Sequence, residues 1–181
     1  MSRTGFAILM ASIVVLIFGG MWIAWRARSR RDSGVQGFGS APTGEVVAVF
    51  PRASYVSTTP VGSPFERVAI PGLRYKGFAE VTVRRDGVSI AVTGEPAVNL
   101  SAAQLSGTST AGGRIGKIVE RDGLSLLQWR AHEAPEHTEG SEARVLESSF
   151  RFTTSPEQQA FADAIAHILQ TEQSHTTQED A

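Results

Sequence analysis

The stretch Gly112–Lys117 (GGRIGK) combines glycines with basic residues, which is the composition of loops that bind phosphate. Such a loop needs four residues between its glycines and a Ser or Thr after the lysine. Here three residues separate the first glycine from the last, and Ile118 follows the lysine. The stretch also precedes a predicted strand, whereas a phosphate loop opens a helix. We therefore reject a phosphate-binding loop, and a mobile, locally basic loop with Arg114 and Lys117 stays open.

The acidic stretch Ala131–Ser141 holds residue types that bind metals, with His132 and His137 close to Glu133 and Glu136. Imidazole and carboxylate groups are ligands for several divalent metals. The spacing matches no closed metal site, however, and an exposed loop preorganises its ligands poorly. We interpret the stretch as a solvated charge cluster in a loop and predict no metal site.

Side chains that support catalysis are also poorly placed. The chain has no cysteine, which excludes thiol nucleophiles, cysteine-ligated zinc, iron–sulfur clusters and disulfides. No serine lies in a G-x-S-x-G nucleophile turn. The paired acids Glu120 and Asp122 flank a predicted turn, where they lack the burial that general acid catalysis needs. We predict no catalytic residue, no enzymatic activity and no cofactor.

Basic residues near a predicted turn are the candidates for binding a ligand. Arg84 and Arg85 stand beside Asp86 in the turn of a hairpin, and Lys76 lies in the preceding segment. Cations in such a loop can hold an anionic group, so Arg84, Arg85 and Lys76 are the predicted ligand-binding residues. The alternative, solvated turn residues without a ligand, stays open.

The charge balance limits the partners of the chain. Five arginines and no acidic residue precede residue 32, so residues 32–181 hold twelve basic groups against eighteen acidic ones. A domain of this charge repels phosphates at long range, which argues against nucleic acid and against a strong phosphoinositide site. The expected ligand is an unidentified protein or lipid.

Gly5–Trp25 is a run of 21 residues without a charge. As a helix it is about 32 Å long, which matches a hydrocarbon core of about 30 Å. We therefore predict a single transmembrane helix at residues 5–25, with the lipid bilayer as its partner. Tryptophan favours the headgroup layer, and arginines commonly flank a span. The predicted membrane-interface residues are Trp22, Trp25, Arg26, Arg28, Arg30 and Arg31.

The arginines that follow the span also predict its orientation. Positive flanks stay in the cytoplasm, and only Arg3 precedes the span. We expect the N-terminus outside the cell membrane and the folded domain on the cytoplasmic side. The opposite topology is one alternative. A cleaved signal peptide is the other, although the apolar run exceeds a typical h-region and no A-x-A-like cleavage site follows it.

Composition divides the chain into five parts. The stretch after the span mixes Arg, Ser, Gly and Pro, which predicts a flexible tether. The predicted parts are an N-terminal tail (1–4), the transmembrane helix (5–25), a basic flexible linker (26–44), a folded domain (45–170) and a disordered tail (171–181).

Alternating apolar residues predict β-strands from residue 45 to about residue 154. A first β-branched run should end at Pro51. Phe78–Val92 is the clearest hairpin, with Asp86-Gly87 as its turn. Lys117–Trp129 predicts a second hairpin around Asp122-Gly123.

Between and after these hairpins the pattern is weaker. Asn99 is a possible cap of a short helical turn. Residues 106–113 fit either an edge strand or a loop, and Arg144–Thr153 is the predicted last strand.

The hydrophobic period then changes to that of a helix. Ser155 is the predicted N-cap, Pro156 the first helical residue and Gln158 the partner that closes a capping box. One apolar stripe follows, formed by Phe161, Ala164, Ile165, Ile168 and Leu169. The predicted fold is mainly β with one C-terminal α-helix. It is a partly open β-barrel capped by that helix and preceded by a single transmembrane helix.

Five short motifs carry a resemblance to a known family. They are Tyr55–Thr59 (YVSTT), Phe65–Val68 (FERV), Gly72-Leu73, Gly87–Ile90 (GVSI), and the final strand with its helix from Phe150 to Leu169. With the N-terminal span, they make the chain similar to small actinobacterial single-pass membrane proteins that have a bacterial pleckstrin-homology (PH)-like domain. The resemblance implies a PH-like barrel that is membrane-tethered and non-catalytic, and it transfers no site residues.

The expected function is an interaction or scaffold domain on the cytoplasmic face of the membrane. The alternative is an exported or envelope-facing domain that is accessory to transport or to cell-envelope processes.

Overall fold

The computed structural model describes residues 3–33, 35–36, 39–133 and 144–179. The chain divides after residue 34 into an N-terminal helical unit and a folded unit. The helical unit holds α1 (Arg3–Ser33). The folded unit holds β1 (Val35–Gln36), β2 (Val46–Pro60), β3 (Gly77–Arg84), β4 (Gly87–Val92), β5 (Val98–Ser101), a 3₁₀ turn (Ala102–Gln104), β6 (Leu105–Ala111), β7 (Gly113–Arg114), β8 (Lys117–Ile118), β9 (Leu124–Glu133), β10 (Arg144–Arg151) and α2 (Ser155–Glu179).

Helix α1 exposes large apolar side chains. Its described side chains are those of residues 10–24 and 26, and Leu16 is 74% exposed. The Arg26 guanidinium lies over the Trp22 ring, 5.7 Å from its centroid, so these two predicted interface residues contact each other. Trp25, Arg28, Arg30 and Arg31 have side chains outside the described residues. Among the residues that the structure describes, no helical stretch combines the length and the hydropathy that crossing a bilayer requires.

The helix continues past the predicted boundary at Trp25 and ends at Ser33. The first eight residues of the predicted flexible linker are therefore helical, because they contain good helix formers and no glycine or proline. Val35 and Gln36 then pair with β9 as a short strand. In the described part of the linker, residues 39–43 have no regular structure.

Antiparallel pairing builds one eight-stranded sheet and the separate two-stranded β7–β8 sheet. The path described next is that of the larger sheet. Its strand order is β1-β9-β10-β2-β3-β4-β5, and β6 also pairs with β9. The last strand, β10, pairs with β9 and also with β2, the first long strand of the chain. This pairing closes the sheet on one side. Strands β5 and β6 do not pair within the described residues, and α2 packs against β6, β2 and β3. The predicted mainly β fold with one C-terminal helix is confirmed.

Aromatic rings join α2 to the sheet. The Phe50 ring meets the rings of Phe152 and Phe161 edge-on, at centroid distances of 5.2 and 5.7 Å. Such geometry adds to the stability that burial provides. The predicted helix stripe is confirmed, with Leu169 partly buried and the other four residues (Phe161, Ala164, Ile165 and Ile168) buried.

Strand β2 runs through Pro51, where the sequence predicted its end. The register against β3 passes from Phe50 opposite Val81 to Ala53 opposite Ala79, so β2 holds one extra residue at this point. Such a bulge interrupts the ladder, and a residue without an N–H is tolerated there. The predicted end of the strand is therefore wrong.

The predicted hairpin at Phe78–Val92 is confirmed. Strands β3 and β4 pair from Ala79 opposite Val92 to Arg84 opposite Gly87. At Gly87 an added Cβ would lie 2.1 Å from the carbonyl oxygen of Leu100 in the neighbouring strand. Glycine is therefore required for close packing as well as for the turn.

The second predicted hairpin is wrong. Lys117–Ile118 pairs with Gly113–Arg114 in a small separate hairpin, while β9 pairs with β6. The turn around Asp122 is present, with Asp122 at φ 61°, and the Thr110 hydroxyl donates to its carboxylate at 2.8 Å. The turn leads into β9 but does not join two paired strands, because the Ser/Thr-rich segment occupies that edge of β9.

The weaker local patterns are resolved as follows. Ser101, not Asn99, precedes the 3₁₀ turn, and its N–H donates to Gln104 Oε1 at 3.0 Å. Asn99 lies inside β5, and most of residues 106–113 form strand β6. The predicted last strand is confirmed as β10. Helix α2 continues to Glu179, through most of the tail predicted as disordered.

The cap of α2 lies one residue before the predicted one. Thr154 Oγ1 accepts from the Glu157 N–H at 3.3 Å, and Glu157 Oε2 accepts from the Thr154 N–H at 3.1 Å. These reciprocal bonds make a capping box at Thr154 and Glu157. Gln158, the predicted partner of Ser155, instead donates to the carbonyl of Asp122 at 2.8 Å.

Replacing Thr154 by Ala should lower the free energy of unfolding by about 1 kcal/mol, the usual contribution of a helix cap. Ser155→Ala is the matched control and should change it by less than about 0.5 kcal/mol. Urea unfolding of both variants measures the difference. Equal losses, or a larger loss for Ser155→Ala, would contradict the assignment of the cap.

Candidate functional site

The predicted ligand-binding arginines hold the chain segment that precedes β2. Arg84 Nη1 donates to the carbonyl of Gly44 at 2.8 Å, and Arg85 pairs with Glu45 at 2.9 Å. The Arg85–Glu45 pair is exposed and contributes little stability by itself. Both guanidinium groups are thus engaged within the chain.

Asp86 holds the same segment by its carboxylate. The Thr43 N–H donates to Asp86 Oδ2 at 2.7 Å. Desolvation raises the pKa of the Asp86 carboxyl. Hydrogen bonds from the backbone of Gly44 and Thr43 lower this pKa by more than desolvation raises it, so the net pKa lies below its ordinary value. The side chains of this turn therefore hold residues 43–45 by hydrogen bonds and an ion pair.

The third predicted residue, Lys76, lies elsewhere. It precedes β3, whereas Arg84 ends that strand, and eight residues of extended chain span roughly 25 Å. The structure therefore does not bring Lys76 together with Arg84 and Arg85. Sheet order explains the separation. Along the chain the first hairpin of the sheet is β2–β3, and its connection at residues 61–76 carries Lys76.

Lys76 instead lies with Lys117 in a cleft of about 460 Å³. Among the described lining residues none is acidic; they are Ser54, Tyr55, Val56, Lys76, Gly77, Phe78, Gly116 and Lys117. Neither ammonium has a carboxylate partner in the part of the chain that the structure describes. We call this site the lysine cleft.

One rim of the lysine cleft is aromatic and cationic. The Phe78 ring is 53% exposed, and the Arg52 guanidinium lies 4.7 Å from its centroid. Glu80 is an exposed acid two residues further along β3, on the same face as Phe78. At the Phe78 side, the cleft therefore has an apolar surface with a cation stacked on it.

A buried hydrogen-bond chain lies behind the cleft. The Tyr55 hydroxyl donates to the carbonyl of Leu73 at 2.9 Å and is 2.9 Å from Thr58 Oγ1. Thr58 Oγ1 is 2.9 Å from Ser148 Oγ, which accepts from Trp129 Nε1 at 3.0 Å. The chain joins β2, β10 and β9 to the segment before β3, so it positions the segment that carries Lys76.

Gly72 lets that segment approach β5. Its φ is +86°, and an added Cβ would lie 2.5 Å from the carbonyl oxygen of Pro96. Only glycine tolerates both conditions. The motif Gly72-Leu73 is therefore structural, because Leu73 supplies the carbonyl that Tyr55 binds.

A buried ion pair positions the other lysine. Arg114 Nη2 lies 2.7 Å from Glu147 Oε2, and the two side chains are 13% and 8% exposed. Gln128 Nε2 donates to the second carboxylate oxygen at 3.0 Å. The Ile115 N–H also donates to the carbonyl of Pro64 at 3.1 Å. Arg114 is thus neutralised, and the β7–β8 hairpin that carries Lys117 is fixed to the sheet.

The acidic stretch falls largely outside the described residues. His132 and Glu133 have backbone in β9, whereas His137 and Glu136 are not described. Within the residues that are described, no group of three or more His, Cys, Asp or Glu is arranged to hold a metal.

Sequence reasoning missed Lys117, Phe78 and Arg52 as neighbours of Lys76. No shared signal in the sequence links these residues, since Glu80 lies two residues after Phe78 and Glu120 lies three residues after Lys117. The pairing of β7 with β8 and the bulge at Pro51 bring them near the cleft, and neither follows from local sequence pattern.

Comparisons with known proteins give one family. A family model described as bacterial PH domain-like matches residues 35–166. No curated protein matches the chain. A chain in a structure titled "The 8S snRNP Assembly Intermediate" aligns over 72% of this chain and 87% of its own length, with 10% identity and a TM-score of 0.45.

The Tyr55 hydroxyl provides a test of the buried chain. Burial raises the pKa of Tyr55 to about 12. In the unfolded chain the pKa is about 10, so the unfolded state ionises first. Wild-type stability should therefore be full below pH 10 and fall by up to about 1.4 kcal/mol per pH unit between about pH 10 and 12.

Tyr55→Phe should destabilise the protein at pH 8 by about 1–3 kcal/mol, because it removes the hydroxyl that donates to the buried carbonyl of Leu73 and bonds Thr58 Oγ1. The variant lacks the tyrosine titration, so its deficit should shrink as the pH rises above 10. Urea unfolding from pH 8 to 11.5 measures this, with exposed Tyr75→Phe as the control. A deficit that stays constant with pH would contradict the raised pKa.

Proposed function

This chain belongs to the bacterial PH domain-like family, and we propose that its folded unit is a non-enzymatic binding domain for an anionic ligand at the lysine cleft. The observation that carries the proposal is the pair of lysines, Lys76 and Lys117, in a cleft whose described lining has no acidic residue. Each ammonium offers three hydrogen-bond donors, and an anion can satisfy both. A phosphate or carboxylate headgroup has this chemistry.

The rest of the cleft supports the same ligand class. Arg52 adds a third cation beside the exposed Phe78 ring, which offers an apolar surface to a lipid chain or to the ring of a headgroup. Buried hydrogen bonds fix both walls, so little ordering remains to be done on binding. The excess of acidic groups in residues 32–181 does not oppose this, since exposed charges beyond about 8 Å are screened at physiological salt.

The described groups offer little support for an enzyme. Tyr55 lines the cleft, but its hydroxyl is turned to Leu73 and Thr58, and its pKa is raised away from neutrality. General acid–base catalysis works best with a pKa near the operating pH. Asp86, whose pKa is lowered, holds the backbone of residues 43–45. A binding or scaffold role fits these arrangements.

We infer further that residues 5–25 anchor the chain in the cell membrane, with the folded unit in the cytoplasm. The support is the uncharged run Gly5–Trp25 and the four arginines that follow it. The described side chains from Met10 to Ile23 include many exposed apolar groups, which a bilayer would cover. The likeness to small actinobacterial single-pass proteins belongs to this proposal and rests on the sequence motifs.

Anchoring suits a ligand that is itself a lipid. Attachment to the bilayer holds the domain close to the headgroups, and this raises their effective concentration at the cleft. An exported domain, accessory to transport or to cell-envelope processes, is the alternative location.

Replacing Lys76 and Lys117 together by Ala should weaken anion binding by about tenfold or more, since hydrogen bonds to charged groups contribute roughly 1.5–3 kcal/mol each. Calorimetry of the full chain in uncharged detergent measures it, with inositol trisphosphate and inorganic phosphate as separate probes. Tighter binding of the inositol probe indicates a lipid headgroup, and equal binding indicates free phosphate.

Arg74→Ala with Arg121→Ala is the matched control. It removes the same charge from exposed positions that do not line the cleft, and it should change the affinity by less than about threefold. An equal loss in both double variants would show nonspecific attraction and overturn the site.

The anchor makes a separate prediction. The full chain should stay in the membrane pellet after alkaline extraction, whereas Val15→Lys with Phe18→Lys should release it, because a lysine at the bilayer centre costs about 2.5–3.5 kcal/mol. Val46→Lys with Val49→Lys, in exposed positions of the folded unit, should leave it in the pellet.

A reporter fused after Ala181 tests the orientation. Activity confined to the cytoplasm is the expected result. Activity confined to the outside would overturn the orientation and favour the exported alternative. Release of the wild-type chain by alkali would overturn the anchor.

A further inference from the structure

Three hydroxyl side chains lie together at one end of the β6–β9 ladder. Thr110 is opposite Ser125, and Thr108 is opposite Leu127. Residues opposite each other, or two apart on one strand, share a face of the sheet. Leu127 is buried in the main core, so Thr108, Thr110 and Ser125 lie on the core face. Hydroxyl groups on a core face need polar partners.

Helix α2 packs against β6 and leaves a groove of about 740 Å³ beside these hydroxyl groups. The first turns of α2 form one wall, and β6 with the turn before β9 forms the other. The lining residues are Thr108, Ser109, Thr110, Glu120, Arg121, Asp122, Gly123, Ser125, Ser155, Gln158, Gln159, Phe161 and Ala162. The lysine cleft shares none of them. We call this site the hydroxyl groove.

Ser125 has a buried hydroxyl without a partner. The residue is 4% exposed, and its Oγ forms no hydrogen bond with any group that the structure describes. A hydroxyl buried in this way costs free energy, which a ligand that bonds it would recover. Because Ser125 lines the hydroxyl groove, its unpaired hydroxyl indicates a polar ligand there.

The acidic groups of the groove already have partners within the chain. Glu120 accepts a hydrogen bond from Arg151 at 3.0 Å. Asp122 lies 3.9 Å from Arg121 and accepts from the Thr110 hydroxyl at 2.8 Å. These contacts leave little attraction for a cation, and two carboxylates would repel an anion. The groove therefore favours an uncharged ligand.

The other polar groups of the groove can bond hydroxyl groups. Gln158 Nε2 donates to the carbonyl of Asp122 at 2.8 Å, and Gln159 Nε2 donates to Asp163 Oδ1 at 2.9 Å, so the amide oxygen of each glutamine can still accept. The hydroxyls on the sheet side can donate or accept. Hydroxyl groups of a ligand have the same two capacities. A ligand that carries several hydroxyl groups therefore suits this lining.

We propose that the hydroxyl groove binds one ring of a neutral sugar. Ring hydroxyls bond Ser125 Oγ and Thr108 Oγ1 on the sheet side, and Phe161 and Ala162 offer an apolar surface to the C–H groups of the ring. The volume of the groove lies within the range of about 300–1,000 Å³ that is usual for small-molecule sites. The inference is independent of the proposed function, since the two sites share no residue.

Two other ligand classes fit the groove less well. A metal ion needs several ligands, and in the described part of the chain no group of three or more His, Cys, Asp or Glu is arranged to hold one. A purely apolar ligand would leave the buried hydroxyl of Ser125 without a partner. A sugar both pairs this hydroxyl and covers the apolar wall.

The test is saturation-transfer NMR of glucose, galactose and mannose with the full chain, kept in a detergent that has no sugar headgroup. At least one of these sugars should receive saturation from the protein, and transfer to none of them would overturn the proposal. The methyl glycoside of the best sugar then identifies the source. Equal binding of the glycoside supports a sugar attached to a lipid or glycan, and weaker binding supports the free sugar.

Ser125→Ala separates a binding role from a structural one. Loss of the hydroxyl should weaken sugar binding by about fivefold or more. The melting temperature should stay the same or rise, because the wild-type hydroxyl has no described partner to lose. Ser89→Ala, half-buried and outside the groove, is the matched control and should bind as the wild type does. Unchanged binding by Ser125→Ala, or an equal loss in Ser89→Ala, would overturn the proposal.

Ala162→Trp fills the groove from the helix side and should weaken sugar binding by about tenfold or more. Ala160→Trp, exposed on the same helix but outside the groove, should bind as the wild type does. Equal binding by both tryptophan variants would overturn the site.

Discussion

Buried hydroxyl and indole groups must find partners, and in this fold one chain of hydrogen bonds provides them. Tyr55, Thr58, Ser148 and Trp129 lie in β2, β10 and β9, and the chain ends on the carbonyl of Leu73. Because unpaired buried groups are costly, these strands have only one register that satisfies all of them. The contact between β2 and β10 closes the barrel, so its register also determines where the barrel stays open and where α2 packs.

The same constraint operates on the other face of the sheet. Arg114 and Glu147 form a buried pair that is worth little as net stability but would be costly if it were broken. It determines where the β7–β8 hairpin lies. Together the two networks place Lys76 and Lys117 in the lining of one cleft, although 40 residues separate them in sequence. Three arginines that stand out in the sequence as basic residues bind other parts of the chain instead of a ligand. They are Arg84, Arg85 and Arg114.

Local patterns predicted the elements whose structure is decided locally. The β3–β4 hairpin follows from alternating valines around Asp86-Gly87, and the α2 stripe follows from its helical period. The sequence predictions were wrong where a strand's structure depends on a partner far away in sequence. Pro51 is tolerated because it lies in a bulge of β2 against β3. The turn at Asp122 joins no hairpin because β6 pairs with β9. For the candidate site, Lys76 alone was found, since its neighbours across the cleft come from two other segments, β2 and the β7–β8 hairpin.

The amino-acid sequence alone determined the uncharged run with its flanking arginines, the mainly β pattern and the final amphipathic helix. Each of these depends on residues close together in the chain, where the spacing of residues in the sequence sets which side chains share a face. Only the tertiary structure decided which cations stay unpaired, which edge of the sheet stays open and which polar atoms lack partners. These properties depend on the sum of contacts around a group. Such contacts come from strands far apart in sequence, and their register is selected by burial over the whole sheet.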